Sequence, residues 1–198
     1  MMKFPRPPQP DFLREKYKKW GHEHKSRRDA DPSASFQWKT YFGQRVNVLI
    51  MQAFGKLAEH CAFCDGYPLG PTSLQTIEHF RPVSHYPRLA YVWHNLFPCC
   101  DRCQNTKRNR FDRRLLKPDA DDYIFEHYFL VNYKTGEIEV NPTVSEIDQH
   151  RAQITIELYG LNEHGRPQSR LLEYRKFQYL SVNDNYTLDD FSYRFFLI

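Results

Sequence analysis

No apolar run in this 198-residue chain approaches the roughly 20 residues that a membrane-spanning helix needs. Its first residues, Met1-Met2-Lys3-Phe4-Pro5-Arg6-Pro7-Pro8, hold no apolar stretch of the kind that forms a signal-peptide core. A cytoplasmic location is therefore expected, with no membrane partner. The chain also lacks a G-x-x-x-x-G-K-[ST] loop, so any ATP chemistry has to come from another protein. Cysteine is scarce, with five in all, and in a reducing compartment these read as metal ligands rather than disulfide halves.

What is present is aromatic and proline-rich. There are 15 Phe, 13 Tyr and 13 Pro, which points to a loop-rich, irregular body with a respectable core. The length suits one domain, or one domain with appended arms. The net charge of +4 hides an asymmetry. Lys3 to Arg28 carries nine Lys/Arg against three Asp/Glu, and Arg102 to Arg114 carries six against one. Asp119 to Ile198 carries seven against fourteen. A basic front half suits a polyanion, whereas an acidic back half suits a protein partner or solvent; solvated faces would give the same runs.

The stretch from Cys61 to Lys107 organises the rest. Cys61-Ala-Phe-Cys64 and Cys100-Asp-Arg-Cys103 are two C-x2-C pairs, and four thiolates at such spacings form a closed tetrahedral site for structural Zn2+. Cys99 offers a second register with Cys103; C-x2-C is the commoner half-site, which leaves Cys99 as a buried thiol. A zinc ribbon that only folds and binds would have the same four cysteines. Between the pairs, however, lie Glu78-His79-Phe80-Arg81-Pro82 and Asn95-Leu96, for which a ribbon has no use.

The flanking elements read as follows. Met1 to Pro10 is an extended, Pro-rich arm, Phe12 to Lys19 a short helix, and Gly21 to Ser35 a linker in which His22 and His24 are exposed side chains rather than ligands. Ser35 caps a helix to about His60, with Trp38, Tyr41, Phe42, Val46, Leu49, Ile50, Ala53, Phe54 and Leu57 recurring at three- and four-residue steps. Ser73 to Phe80 is a strand and Tyr91 to Trp93 a short extended piece. A helix starts near Pro98 or Cys99 and runs to about Asn109, placing Cys100 and Cys103 on one face. Phe125 to Tyr133 and Glu137 to Val140 are strands joined through Lys134-Thr135-Gly136. Ser145 opens a helix through Leu158 with Ile147, Ile154 and Leu158 inward, Gly160 caps it, and Leu171 to Leu180 is a further helix. The apolar tail Phe191 to Ile198 packs in the body or binds a partner. Three regions result: a basic arm over 1–34, a helix with the zinc-stapled core over 35–118, and a C-terminal region over 119–198 packing on the core or on a partner.

The order CxxC, Glu78-His79, Asn95-Leu96, CxxC, then Asn105 and Lys107 resembles the HNH (ββα-metal) nucleases. Glu78-His79-Phe80-Arg81-Pro82, Tyr91-x-Trp93-x-Asn95-Leu96 and Gly160-Leu161-Asn162 are similar to the PtuB family, the HNH components of Septu-type anti-phage systems and their retron-linked versions. The resemblance runs from about Trp38 to Arg175. It implies an α+β fold with a ββα-metal core stapled by Zn2+ and flanked by N- and C-terminal helices. It implies a metal-dependent endonuclease, the effector of an anti-phage defence system, acting with a PtuA-like ABC/SMC-type ATPase and in some systems with a retron reverse transcriptase/msDNA complex. His79 would be the general base and Asn95 would hold the loop that orients it. Glu78, where the family usually has Asp, would bind Mg2+ or Mn2+ together with Gln104 or Asn105. A histidine can take a proton from water while a divalent cation stabilises the leaving oxygen.

Adjacent strand residues point to opposite faces, so Glu78 and His79 would diverge unless the strand end before Arg81-Pro82 is distorted. His85 and His94 read as packing or hydrogen-bonding residues. Arg81, Lys107, Arg108, Arg110, Arg113 and Arg114 are expected phosphate contacts, and a solvated helix end is their plainer explanation. No recognition helix or aromatic platform is visible, so binding should be dominated by the nucleic-acid backbone. Three readings stay open: a DNA nuclease, a nuclease for structured RNA such as tRNA, and a non-catalytic zinc adaptor bridging an ATPase to nucleic acid.

Overall fold

The computed structural model describes residues 1–180 and 185–198. Among these residues the fold mixes helices with three small two-stranded sheets, and its centre is an antiparallel pair followed directly by a helix.

The N-terminal segment is not a free arm. Met1 and Phe4 are buried, and Phe4 N–H donates to Pro118 O. Arg6 forms a buried ion pair with Asp119 at 2.5 Å, and its guanidinium lies 4.2 Å from the Phe97 ring centroid. Proline fixes the backbone in an extended form, and Phe4 and Arg6 anchor that form on the core. Helix α1 (Asp11–Ala30) then runs straight through the expected linker, taking in Gly21, His22 and His24. Gly21 does not break it: a Cβ there would sit 2.5 Å from Arg88 O, so glycine permits close approach of two backbones. His24 is buried edge-on against Phe36, whereas it had been expected at the surface.

The expected helix from Ser35 to His60 is mostly something else. Residues 35–39 form no regular element. Strands β1 (Thr40–Tyr41) and β2 (Gln44–Arg45) form a tight hairpin, and only α2 (Val46–Phe54) is helical, followed by a 3-10 turn over Gly55–Glu59. Phe42 and Gly43 take positive φ at the hairpin tip. Phe36, Trp38 and Tyr41 pack against Tyr91 and Trp20, and that tertiary contact overrides a pattern that also fits a helix.

Strand β3 (Gln75–His79) pairs antiparallel with β4 (Leu96–Cys100), from Gln75 opposite Cys100 to His79 opposite Leu96. The second strand therefore falls where the helix was expected to begin. All five residues of β4 are buried, so no alternation marks it. Pro98 is tolerated because a two-stranded sheet has only edges, and its carbonyl accepts Ala62 N–H. Helix α3 (Asp101–Lys107) follows at once, with Cys100 as its N-cap rather than inside it.

Beyond the centre, α4 (Phe125–Tyr128) replaces the first part of an expected strand, and β5 (Phe129–Val131) pairs with β6 (Ile138–Val140). Helix α5 (Glu146–Tyr159) starts at Ser145, whose Oγ accepts Asp148 N–H, and ends at the left-handed Gly160, as anticipated. Its buried face is Ala152, Thr155 and Tyr159; Ile147, expected inward, is 70% exposed. Helix α6 (Arg166–Leu180) begins five residues before Leu171. The tail packs into the body through Phe191, Phe195, Phe196 and Leu197. Asp65 latches it: the carboxylate accepts from Arg194 N at 2.7 Å and from its guanidinium. Among the described residues, no helix is long and apolar enough to cross a membrane.

Candidate active site and metal centre

Four thiols converge where β4, α3 and the Cys61–Cys64 turn meet. Cys61, Cys64, Cys100 and Cys103 are buried, and their sulfurs lie within 4.8 Å of one another. A tetrahedral Zn2+ with bonds of about 2.3 Å separates its sulfurs by roughly 3.8 Å, and Cys64 Sγ lies 3.7 Å from Cys100 Sγ. The four cysteines are thus positioned to hold a metal ion, and the all-thiolate donor set fits zinc. Two knuckle contacts shape the site: Asp65 N–H donates to Cys61 O, and Cys103 N–H donates to Cys100 Sγ at 3.4 Å. Cys99 is also buried beside the group of four: its thiol is 3.3 Å from Cys100 O and its sulfur 4.0 Å from Cys61 Sγ.

Arg166, which the sequence did not single out, backs this cluster. It is 2% exposed; one guanidinium nitrogen is 3.3 Å from Cys103 Sγ, and another donates to Tyr159 O and Gly160 O. Burial alone would lower its pKa, yet the surrounding sulfurs, Cys103 first, hold it above its ordinary value. A fixed cation beside four thiolates offsets part of their excess negative charge.

On the far side of the β3–β4–α3 unit, Glu78, His79, Pro82, Val83, Gln104, Asn105, Arg108 and Asn109 line a cleft of about 290 Å³. The structure thus brings Glu78, His79, Gln104 and Asn105 to one place. It does so without distorting the strand, which stays in register through His79 opposite Leu96. Glu78 turns toward α3 and His79 toward the 80–95 loop and the 35–39 segment, so the side chains diverge as strand geometry dictates.

His79 Nε2 lies 2.9 Å from Ala90 O. A carbonyl only accepts, so this contact places the proton on Nε2 and leaves Nδ1 with a lone pair. Trp38 stacks on the ring (5.4 Å, 16°) and Phe36 meets it edge-on (5.0 Å). Burial lowers the His79 pKa to about 4, against the opposing effect of the Ala90 hydrogen bond, and the charge of Lys107 lowers it further.

Asn95, 4% exposed, is the staple of the loop. Its Oδ1 accepts Arg81 N–H at 2.8 Å, and its Nδ2 donates to Arg81 O and Leu89 O. The loop it closes carries Ala90, whose carbonyl contacts His79 Nε2. Trp38 and Phe36 were read as helical core, and no local pattern marks them as neighbours of His79.

Lys107 differs most from expectation. It is fully buried, with Nζ 2.6 Å from Glu78 Oε1 and 3.2 Å from His79 O, so it is not presented to a phosphate. Burial raises the Glu78 pKa to about 7, and Lys107 offsets that only in part. Gln104 donates its Nε2 to Ile77 O at 3.0 Å, leaving its Oε1 as an acceptor, while Asn105 is exposed. Glu78, Gln104 and Asn105 therefore offer oxygens of the kind a hard divalent cation takes, with the Lys107 ammonium competing for the carboxylate.

Among the remaining basic residues, Arg81, Arg108, Arg110 and Arg113 are exposed. Arg81 lies 5.7 Å from the Tyr86 and Phe111 ring centroids. Arg114 is exposed but already paired with Asp112 at 2.8 Å, which takes it out of the free basic surface. His94 is exposed beside Asp119, and His85 is exposed.

No family model matches the chain. A stretch of 63 residues, 31% of the chain, is 30% identical to the Septu protein PtuB of Bacillus thuringiensis. The matched stretch spans about a quarter (24%) of that relative's length. This similarity supports a relation to Septu defence.

Proposed function

We propose that this chain is a metal-dependent endonuclease of the HNH type, acting in anti-phage defence with an ATPase partner. The observation that carries the proposal is the His79 arrangement: Nε2 tied to the Ala90 carbonyl, Nδ1 left with its lone pair, and the ring in a cleft shared with Glu78, Gln104 and Asn105. A histidine with one nitrogen fixed on a backbone carbonyl is prepared to take a proton from water with the other. The 30% identity to a Septu protein supports the defence setting.

In this reading the β3–β4–α3 unit is the ββα core, stapled by Zn2+ on the four cysteines. His79 Nδ1 accepts the proton of the attacking water. Asn95 holds the loop that aims His79. Glu78 with Gln104 or Asn105 would hold Mg2+ or Mn2+, which when bound supplies charge stabilisation at the leaving oxygen. The basic residues free at the surface neutralise phosphates. Such a site attacks a phosphodiester without demanding a particular sugar, so the substrate is DNA or a structured RNA such as tRNA. The expected partner is an ABC/SMC-type, PtuA-like ATPase, and a retron reverse transcriptase/msDNA complex is a further partner where the system includes one.

The test compares wild type with His79→Ala, each alone and with the ATPase encoded beside it, on plasmid DNA and total tRNA in Mg2+ or Mn2+. Cleavage that disappears with His79→Ala or with EDTA supports the nuclease and names the polymer. Intact polymers in every arm, with one zinc bound per chain, would instead make the chain a zinc adaptor between ATPase and nucleic acid.

A further inference from the structure

Two clefts meet on helix α3. The first is the His79 cleft. The second, about 560 Å³, is lined by Arg102, Thr106 and Arg110 on one side and by Glu163 and His164 of the α5–α6 loop on the other. Asn105 and Arg108 line both, so the second groove continues the first around the exposed side of the helix. We propose that this groove is a binding track for the phosphodiester backbone of a nucleic acid, entering the His79 cleft past Arg108. The proposal rests on the nuclease reading and extends it to residues outside the candidate active site.

The groove is built rather than incidental. Arg102 and Thr106 are one turn apart on α3, and the Thr106 hydroxyl donates to Arg102 O at 2.8 Å. That hydroxyl has no second proton to give, so its 3.1 Å contact with His164 Nε2 is accepted from the imidazole. His164 therefore bridges the α5–α6 loop to α3 and closes the far wall. It reaches that position from a left-handed backbone (φ 58°) preceding a left-handed Gly165. Arg110 is pinned across the end of α3 by donating to Thr106 O at 2.6 Å. Arg108, at the helix C-cap, also has a left-handed φ and donates Nε to Asn105 O.

Among the described residues, Arg102, Arg108 and Arg110 have no carboxylate partner, whereas Arg6, Arg151 and Arg194 are each paired. Three unneutralised guanidinium groups along one groove match a row of phosphates. No Phe, Tyr or Trp lines either cleft, so no large aromatic platform is offered to the bases, and recognition falls on the backbone without regard to sequence. The one acid in the groove, Glu163, is 3.6 Å from His164 Nε2 and half exposed. Its carboxylate opposes a polyanion and limits affinity.

The test is equilibrium binding of the full chain carrying His79→Ala, with no Mg2+ or Mn2+ added, to a fluorescent DNA duplex, a fluorescent single strand and a fluorescent tRNA over a range of salt. Arg102→Gln/Arg110→Gln should weaken binding about tenfold or more at low salt. It should also reduce the log K against log salt slope by about 0.9 per arginine on duplex, or about 0.7 on a single strand. Glu163→Gln should tighten binding several-fold, a change that loss of folding cannot mimic. Arg114→Gln, already neutralised by Asp112, is the control and should leave the slope unchanged. If the double variant binds like the Arg114→Gln control, the track is wrong, whatever the nuclease assay shows. If it loses binding but wild type cuts neither polymer with its ATPase, the track stands and the nuclease reading falls. A chain with the groove intact that binds none of the probes overturns the track, and the cleavage assay decides the nuclease reading separately.

Discussion

Lys107 Nζ sits 2.6 Å from Glu78 Oε1, and both side chains are almost completely buried. The pair joins the last turn of α3 to β3 across the floor of the cleft, and its second contact, to His79 O, fixes the strand beneath the candidate base. Removing one partner leaves a buried charge alone, which costs about 3–5 kcal/mol, whereas replacing both is far milder. Lys107→Met should therefore destabilise strongly above pH 7 and Glu78→Gln/Lys107→Met much less. The pH dependence has a definite sign. Glu78 binds its proton more tightly folded (about 7) than unfolded (4.5), so its contribution to stability is fully present below 4.5 and lost as pH rises through about 7. Without Lys107 its pKa rises further, so the single variant should regain stability on acidification. Urea denaturation of both variants on either side of pH 7 measures this; equal losses at both pH values would contradict it.

His79 behaves oppositely. Its folded pKa is about 4 against an ordinary 6.5, so the unfolded chain takes up a proton first. The stability this group contributes is present above 6.5 and is lost as pH falls toward 4. The imidazole is a free base throughout that window. Its NMR titration should have a midpoint well below 6.5, and the acid limb of any cleavage rate should lie there too. A midpoint near 6.5 would show that the ring is not enclosed.

The metal centre gives a residue-level test of register. Cys99→Ala should keep one zinc per chain, since its thiol faces the Cys100 carbonyl. Cys103→Ala should lose the zinc and much of the folded signal, because structural zinc binding is coupled to folding. Arg166→Met should lower zinc affinity by roughly 10–100-fold, the usual effect of removing a partner that positions or charges a metal ligand. Metal release followed with a chromogenic chelator separates these cases. Zinc retained in Cys100→Ala but lost in Cys99→Ala would establish the alternative register, in which Cys99 pairs with Cys103.

Particular residues show what could be read from the chain and what could not. Two C-x2-C pairs suit a tetrahedral metal site, so the cluster of four cysteines was legible. Ser145 caps through its own hydroxyl and Gly160 through the left-handed backbone that its missing Cβ permits, so both helix ends were legible from single residues. The segment around Trp38 was not. A stripe of aromatics at three- and four-residue steps fits a helix, and only the surfaces of α1 and the Tyr91 loop select the non-helical form. Strand β4 was missed because it is buried throughout and so shows no period. The Glu78–Lys107 pair joins residues 29 positions apart, and a lysine in a basic run looks like surface until the fold buries it.

Trp38 is the side chain whose role depends most on that missed segment. Its ring lies nearly parallel to His79, and its own backbone is held because Tyr91 Oη accepts Lys39 N–H and donates to Gln37 O. Its ring stacks on His79, which on the nuclease reading makes it a positioning residue. Trp38→Leu removes the flat wall without a new charge. On the nuclease reading, kcat should fall about tenfold, near 1.4 kcal/mol, with KM little changed, since phosphate binding lies elsewhere. The distinguishing signature is the pH profile. With water admitted to the ring, the His79 pKa should climb from about 4 back toward 6.5, carrying the acid limb upward. Trp38→Phe, which keeps an aromatic wall, should restore most of the rate and the low limb. A Trp38→Leu protein that is slower but has an unmoved acid limb would mean that the tryptophan supports the fold and not the base.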